Sequence, residues 1–390
     1  MRCNICKSKN IKTLNYFGKI PRSYDFKKNK IIKKYKFILN ECLRCSIIQL
    51  KKIGDNQSFV PKLKWIKNNE PDEHLTGLIF FLEKKLKEKK KILLISSFDK
   101  KIYESLKNKN FKNLKVLDSK KHLRISKKNP NQFLIQNSIL KKEIINKNRY
   151  IGQFDFIVSC RVLEHTYNLN LFIKNLETFL KPGGNFIFEI PDSQKSLKQG
   201  DVSMLWEEHP IYFTKHSFFK AFQVLGYKVL KCNKYQYPQE DALILRVEKC
   251  VKEKKIIKKI SKQEKKLGKL FVTKYLNKKK KLTAFLKTQM QKNKKIAIFG
   301  AGHRSIVYFH LNKLTPYINY IFDDHKNKKN LYFPGTNLKI KPSLEIIKNK
   351  VDLCFLSLNI SKEKKVIDKL KKYNNKIKFY SISPDSKYAF

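Results

Sequence analysis

Two pairs of closely spaced cysteines near the N-terminus constrain this chain most. Each pair encloses two residues, and 35 residues separate the pairs, which are Cys3 with Cys6 and Cys42 with Cys45. This is the arrangement that a tetrahedral four-thiolate zinc site requires. The pattern therefore predicts a small zinc-ribbon-like module that is held together by a structural Zn²⁺ ion. The other four cysteines are scattered in or beside apolar runs and are expected to be ordinary core thiols: Cys160, Cys232, Cys250 and Cys354.

The length of the chain indicates more than one domain. Its 390 residues exceed what one ordinary hydrophobic core accommodates, so two or three domains are expected. There is no run of eighteen apolar residues and no apolar segment at the N-terminus, so we expect neither a membrane span nor a secretory signal. Paired cysteine motifs of this kind indicate a reducing, cytoplasmic setting.

The formal net charge of +55 raises the question of nucleic-acid binding. The basic excess consists almost entirely of lysine, whereas sites that bind phosphates and bases usually depend on the bidentate guanidinium of arginine. Lys, Asn, Ile, Phe and Tyr are all abundant and all have A/T-rich codons, so a biased genome explains the charge. A basic, zinc-containing nucleic-acid-associated protein therefore remains the least favoured alternative.

Strands that alternate with helices predict a doubly wound parallel sheet in the middle of the chain. A helix is expected from about Asp72 to Lys89, and the apolar run "KKILLISS" follows it as a buried strand. A later amphipathic helix, "NLNLFIKNLETFL", is expected to end at Pro182-Gly183-Gly184. The lysine-rich segment 251–292 predicts a helical connector whose apolar stripe includes Leu267, Leu270 and Phe271. A second, smaller Rossmann-like alternation begins near residue 293.

Nucleoside-binding sheets carry a glycine-rich turn after the first strand and an acidic residue at the end of the second. The smaller, C-terminal alternation has Gly300-Ala301-Gly302 after its first strand and Asp323 and Asp324 at the end of its second. Ser305 replaces the third glycine of the pattern, which favours a structural turn over a cofactor site. In the doubly wound sheet in the middle of the chain, the residues after the first strand, Ser96 to Lys100, contain no glycine. Asp118 nevertheless stands at the end of the second strand.

Two further groups of polar residues lie where strands of such a sheet end. Glu164-His165 follow the run "IVSCRVL", and Glu207-Glu208-His209 precede Tyr212 and Phe213. Open α/β sheets keep their sites at the carboxyl ends of the strands. A histidine can accept a proton there, and a neighbouring carboxylate can orient the ring or hold a substrate hydroxyl.

Over almost its full length the sequence resembles the three-part sugar C-methyltransferases that act on nucleotide-linked deoxy-keto sugars. The resemblance is carried by the four N-terminal cysteines with "IIQL" after the last, and by "VLEH", "LKPGGNFIFEIPD", "EEHPIYF" and "GAG" followed by "FDDHKNKKNLYFPGTNLKI". It implies a zinc-binding module over 1–58, a class I S-adenosylmethionine (SAM)-dependent methyltransferase domain over 59–250, a connector over 251–292 and a Rossmann-like domain over 293–390.

The resemblance also implies a reaction and a set of residues. A nucleotide-linked keto sugar would lose a proton next to its carbonyl, and the resulting carbanion or enolate would take the methyl group of SAM. His209 matches the base of the family, Glu208 would hold or orient the sugar, and His165 matches a second site histidine. An aromatic residue expected soon after the ribbon corresponds to Tyr24 or Trp65. The product would belong to a surface polysaccharide or a secondary metabolite.

The cofactor motif departs from that of the family. Members carry an acidic, glycine-rich turn after the first strand, whereas this chain has Leu94 in place of the acid and Ser96 and Lys100 in place of the glycines. We therefore expect SAM to contact Ser96, Asp99 and Asp118. A catalytically degenerate, methyltransferase-like scaffold is the alternative function.

Overall fold

The computed structural model describes residues 1–28, 33–51, 71–95, 100–126, 130, 132–147, 149–250 and 262–390. The strands, in chain order, are β1 (Ile11–Pro21), β2 (Lys34–Cys42), β3 (Ile48–Leu50), β4 (Ile92–Leu94), β5 (Leu114–Val116), β6 (Phe154–Cys160), β7 (Leu180–Asp192), β8 (Ile211–Tyr212), β9 (Tyr227–Tyr235), β10 (Asp241–Lys249), β11 (Ile296–Phe299), β12 (Tyr320–Phe322), β13 (Ile340–Lys341), β14 (Leu353–Leu356) and β15 (Lys378–Ser381). The α-helices are α1 (Leu75–Lys87), α2 (Lys100–Lys107), α3 (Gln132–Ile139), α4 (Lys142–Asn146), α5 (Leu169–Glu177), α6 (Gln194–Gln199), α7 (Lys215–Val224), α8 (Lys262–Gln291), α9 (His303–Leu311) and α10 (Ile360–Lys371).

The N-terminal sheet is antiparallel and has the strand order β1-β2-β3-β8. Its fourth strand, β8, comes from far along the chain, so that Ile48 pairs with Tyr212 and Gln49 with Ile211. Ile48 and Leu50 are buried against it. The predicted module therefore shares a sheet with the segment that carries the His209 motif.

The central sheet is doubly wound and has the order β5-β4-β6-β7-β10-β9. The first four strands are parallel, and β10 lies antiparallel between β7 and β9. The side chains of β4 are completely buried, as its continuous apolar sequence predicts for a strand covered on both faces. The carboxyl ends of β4, β5 and β6 consequently meet at one edge of the sheet.

The C-terminal sheet is smaller, wholly parallel and ordered β13-β12-β11-β14-β15. Together the three sheets confirm the predicted α/β fold class, with an N-terminal ribbon-like module, a doubly wound central sheet and a smaller Rossmann-like domain. In the part of the chain that the structure describes, no helix combines the length and the apolar character needed to cross a membrane.

Helix α8 joins the sheets. Leu267 and Phe271 are buried in a core that also contains Phe17 and Phe37 of the N-terminal sheet and Val307 of α9. Leu270, which was predicted to belong to the same stripe, is 38% exposed. The part of the predicted connector from 251 to 261 lies outside the described residues.

The helix expected to end at Pro182-Gly183-Gly184 ends earlier. Helix α5 stops at Glu177, and those three residues lie within β7. The hydroxyl of Thr178 donates to the carbonyl of Asn175 (2.8 Å) at the end of the helix. The Phe179 carbonyl then accepts the N–H of Phe154 (3.0 Å), so backbone pairing with β6 replaces the next helical turn. Helix α1 is also shorter than predicted, since it covers Leu75–Lys87.

Candidate active site

The four N-terminal cysteines form one cluster. The Sγ atoms of Cys3 and Cys45 are 3.6 Å apart, and those of Cys6 and Cys42 are 3.5 Å apart. All four sulfur atoms lie within 4.8 Å of one another, and all four cysteines are free of disulfide bonds. Four thiolates at about 2.3 Å from a tetrahedral ion are separated by distances close to these. The donor set therefore fits the predicted zinc ion, and the ribbon turns that carry the two pairs face each other.

A second cluster surrounds the indole of Trp206. The rings of His209 and Trp206 have centroids 4.6 Å apart, His303 stacks on the indole at 5.0 Å, and His165 meets it edge-on at 5.7 Å. Tyr24 closes another edge at 5.8 Å. We call these five residues the Trp206 cluster.

The Trp206 cluster brings together three separate parts of the chain. Tyr24 belongs to the N-terminal module, and His165 lies in the short 3₁₀ helix Leu163–His165 that follows β6. Trp206 and His209 precede β8, and His303 begins α9 directly after the glycine turn of the C-terminal sheet. The predicted site residues His165 and His209 meet at a ring-centroid distance of 4.6 Å. Of the two aromatic candidates, Tyr24 reaches this cluster, while Trp65 lies outside the described residues.

Burial keeps the histidines of the cluster neutral. It lowers the pKa of His165 to about 3, against an opposing hydrogen bond of the ring with the Glu208 main chain. Burial, together with the neighbouring His165 and His303 rings, holds the pKa of His209 well below the usual range. An imidazole that is neutral at physiological pH has a lone pair with which to accept a proton or bind a ligand.

Glu164 lies beside the two histidines with an unpaired carboxyl group. Its side chain is 1% exposed, and neither oxygen has a hydrogen-bond partner among the described residues. Burial raises the pKa of Glu164 to about 8, although nearby Arg161 opposes the shift. The carboxyl oxygen lies within 4.8 Å of a ring nitrogen of both His165 and His209.

Behind this group, a buried ion-pair network holds the end of β6. The Arg161 Nε donates to Glu189 Oε2 (3.1 Å) and lies 2.8 Å from Glu189 Oε1. The Glu189 carboxylate also contacts His74 Nε2 (3.1 Å). The other ring nitrogen of His74 lies 2.9 Å from the hydroxyl of Tyr237. These contacts fix Arg161, at a positive φ of 54°, near both histidines of the cluster.

The two glutamates of the Glu207-Glu208-His209 motif contact different parts of the protein. The Glu207 carboxylate accepts the main-chain N–H of Ser23 (2.5 Å) and its hydroxyl (2.8 Å), so it fastens the N-terminal module to the methyltransferase-like segment. Glu208 is buried, and its main chain contacts the ring of His165. The two residues before His209 are therefore anchored, one to the N-terminal module and one to the ring of His165.

The predicted cofactor residues are only partly described. Ser96 and Asp99 lie outside the described residues. Asp118 is exposed just beyond β5, and its Oδ1 accepts the N–H of Lys121 (2.6 Å) while its own N–H donates to His122 Nδ1 (2.9 Å). The carboxylate stands at the carboxyl edge of the sheet, where an acid that holds ribose hydroxyls belongs.

The glycine turn of the C-terminal domain has a structural role. Gly300 has a φ of 99°, and a Cβ atom there would lie 2.4 Å from the Ser357 carbonyl oxygen. The Asp323 carboxylate accepts the Ala301 N–H (2.8 Å) and the His325 N–H (2.8 Å), and pairs with Lys328 (2.7 Å). The carboxylate of Asp323 is thus engaged within the protein.

Replacing His303 with Phe is expected to make stability less sensitive to acid. Burial, with Arg304 nearby, lowers the pKa of His303 to about 3 in the folded chain, against 6.5 for an ordinary histidine. Its contribution to stability is therefore complete above pH 6.5 and is lost as the pH falls from 6.5 towards 3. At pH 5 the lowered pKa of His303 reduces the free energy of unfolding by about 2 kcal/mol relative to neutral pH. Phenylalanine keeps a ring against Trp206 but does not titrate.

Urea unfolding at pH 7.5 and at pH 5 would measure this effect. The difference in unfolding free energy between the two pH values should be smaller in the His303→Phe variant. An unchanged difference would mean that the imidazole is accessible to protons in the folded state.

Sequence reasoning identified His165, Glu208 and His209 but did not single out Trp206, Arg161 or His303. Trp206 stands directly before the Glu207 motif, which is the only local signal for it. His303 follows the glycine turn, where the fingerprint directs attention to backbone atoms. The contact between them is formed by residues that are distant in sequence, so no local pattern predicts it.

Two family models match the sequence. Residues 73–231 match a model described as a methyltransferase domain, and residues 244–382 match one described as a C-methyltransferase C-terminal domain. No curated protein matches the sequence.

Among solved structures, the chain is similar to a SAM-dependent methyltransferase from Methanosarcina mazei, with 13% identity, a TM-score of 0.28, and coverage of 42% of this chain and 93% of that one. It is also similar to a 1,6-didemethyltoxoflavin-N1-methyltransferase from Burkholderia thailandensis, with 8% identity, a TM-score of 0.27, and coverage of 49% and 95%. The latter structure holds S-adenosylhomocysteine. The two family models, which match separate parts of the chain, identify it as a methyltransferase.

Proposed function

We propose that this class I methyltransferase methylates a carbon atom of a nucleotide-linked keto-deoxysugar, next to the sugar carbonyl. The match of residues 244–382 to a C-methyltransferase C-terminal domain supports methylation at carbon. A carbon next to a carbonyl becomes nucleophilic only after it loses a proton, so such an enzyme requires a base and a group that stabilises the resulting enolate.

The observation that carries the proposal is the meeting of His165 and His209 in the buried Trp206 cluster. His165 follows β6 at the carboxyl edge of the central sheet, where open α/β sheets hold their ligands, and His209 meets it from the segment before β8. The contribution of His303 from the C-terminal domain supports a site enclosed by all three parts of the chain.

Each polar residue of the cluster has a proposed role. His209 removes the proton from the carbon, since burial keeps its imidazole neutral. Glu208 holds or orients the sugar, and His165 positions the substrate carbonyl from the opposite ring face. The guanidinium of Arg161, fixed by Glu189, places positive charge near the oxygen on which negative charge develops.

SAM supplies a methyl group on a positively charged sulfur when it is bound. The residues that we propose to hold it are Ser96, Asp99 and Asp118, of which Asp118 is described and exposed at the expected edge. Its carboxylate would accept the ribose hydroxyls.

We further propose that the four-thiol cluster holds a structural Zn²⁺ ion. Four protein ligands leave no open coordination position, so the ion would stabilise the module and take no part in the reaction. Thiolates of this kind require a reducing environment, which supports a cytoplasmic setting.

Replacing Asp118 with Ala is expected to weaken SAM binding by roughly 10- to 100-fold, since a hydrogen bond to a charged group contributes about 1.5–3 kcal/mol. Isothermal titration of the zinc-loaded protein with SAM and S-adenosylhomocysteine would measure it. Asp368→Ala, which removes an exposed carboxylate from α10, is the matched control and should bind like the unaltered protein.

Two results would count against the cofactor site. Equal affinity of the Asp118→Ala variant would remove Asp118 from it. A folded, unaltered protein that binds neither ligand at millimolar concentration would favour the degenerate scaffold, which the turn without glycines at 96–100 already suggests as the alternative.

A further inference from the structure

Three potential metal ligands lie close together. They are Glu164 and two members of the Trp206 cluster, His165 and His209. One carboxylate oxygen of Glu164 and one ring nitrogen each of His165 and His209 lie within 4.8 Å of one another. This group is separate from the four-thiol cluster and differs from it in chemistry, since it offers two nitrogen atoms and one oxygen atom.

We propose that Glu164, His165 and His209 form a second metal site, which binds a divalent transition-metal ion such as Zn²⁺ or Co²⁺. Two imidazoles and one carboxylate are a set that zinc uses in proteins, and it leaves further coordination positions open. Imidazole ligands favour ions of this kind over Mg²⁺ or Ca²⁺.

Two of the three proposed ligand residues, Glu164 and His165, have polar atoms that are unpaired in the described part of the chain. Both oxygens of Glu164 and the Nδ1 of His165 have no hydrogen-bond partner among the described residues, although both side chains are 1% exposed. Leaving such groups unpaired inside a protein costs free energy that an ion would recover. The ring of His165 is also hydrogen-bonded to the main chain of Glu208, which orients it as second partners of metal-bound histidines do.

The distances require the ligands to move closer together. Ligand atoms at roughly 2.0–2.2 Å from one tetrahedral ion are about 3.3–3.6 Å apart. The three ligand atoms lie within 4.8 Å of one another, so they would approach by up to about 1.5 Å when an ion binds. Rotation of the Glu164 carboxyl group and of the His209 ring would close this gap.

The surrounding charges favour a cation. Arg161 is the nearby positive group, but its guanidinium pairs with Glu189 (2.8 Å) and reaches Glu240 (3.5 Å). Both of these acids also act on Glu164. Arg161 is thus held by two carboxylates, which offset its repulsion of a cation at Glu164.

The second site has a consequence for activity that rests on the proposed function. A lone pair of His209 that binds a metal cannot accept a proton, so the metal-bound enzyme would lack its base. Micromolar Zn²⁺ or Co²⁺ should therefore inhibit methyl transfer, and a chelator too weak to strip the four-thiol site should restore it.

The test uses protein treated with a chelator too weak to strip the four-thiol cluster, so that it holds one equivalent of Zn²⁺ and the second site is empty. This protein is titrated with Co²⁺, and binding is followed by the visible absorption of bound cobalt and by equilibrium dialysis. We expect one equivalent of Co²⁺ beyond the zinc, and at least about tenfold weaker binding in Glu164→Gln. Glu104→Gln, which removes an exposed carboxylate from α2, should bind cobalt like the unaltered protein. If Glu164→Gln does not fold, His165→Phe replaces it, because it keeps a ring against Trp206.

No additional equivalent of cobalt, or equal binding by the unaltered protein and the ligand variant, would overturn the second site. The metal measurement needs no substrate, so its failure is distinguishable from failure of the proposed function. Binding of cobalt without inhibition would confirm the site and contradict the assignment of His209 as the base.

Discussion

Replacing His209 with Gln is expected to lower kcat for methyl transfer by about 10²- to 10⁴-fold, the usual contribution of a positioned base. The imidazole of His209 packs between His165 and Trp206, and glutamine keeps a polar side chain there without the ability to take a proton. The affinity for SAM should not change, because Asp118 lies at the end of a different strand.

Two measurements separate a base from a residue that only shapes the pocket. The first is the rate of methyl transfer to a nucleotide-linked keto sugar. The second is the exchange of the proton next to the carbonyl with deuterium from solvent, without SAM. Both should fall in the His209→Gln variant. His325→Gln, on the surface of the C-terminal domain, is the matched control.

Exchange that persists in His209→Gln while methyl transfer is lost would mean that another group takes the proton. His165 is the nearest candidate, since its ring lies 4.6 Å from that of His209. Loss of exchange in the variant with unchanged SAM binding would support the proposed base.

Replacing Cys45 with Ser is expected to release the zinc ion and to unfold the N-terminal module. Structural zinc contributes on the order of 10 kcal/mol to the folding of small metal-bound modules. Cys45 is 2% exposed, and its Sγ lies 3.6 Å from that of Cys3, so the other ligands cannot rearrange to replace it. Metal content and thermal unfolding would record the change.

The effect of Cys45→Ser should extend to the active site. Cys45 precedes β3, β3 pairs with β8, and β8 begins two residues after His209. Loss of the module therefore removes a support of the base, and methyl transfer should fall together with zinc content. Cys250→Ser is the control, since Cys250 is exposed and belongs to no cluster of metal ligands in the described chain. Full activity without zinc would show that the sheet holds His209 without the ion.

The parts of the fold that local patterns determine could be predicted from the sequence. The two cysteine pairs lie in tight turns whose spacing fixes their geometry, and the continuous apolar run of β4 requires a strand buried on both faces. The end of α5 could not be predicted as easily. Its position depends on pairing of Phe179 with Phe154, a contact that competes with helix formation only once the sheet is assembled.

The candidate site could be predicted in part for a similar reason. His165 follows a recognisable strand end, and His209 stands in a family motif. Their contact with each other, and the roles of Tyr24 and His303, depend on how three distant segments pack. The ion pairs of Arg161 with Glu189 and Glu240 likewise join separate strands, so no spacing in the sequence indicates them.

The members of the Trp206 cluster are synthesised at different times, because they lie far apart in the sequence. Tyr24 and the residues of the central sheet leave the ribosome well before His303, so one face of the indole stays uncovered until the last domain has been translated. A chain that ended before residue 303 would lack the imidazole that stacks on Trp206. The cluster is therefore complete only when the C-terminal domain has been added to the two earlier sheets.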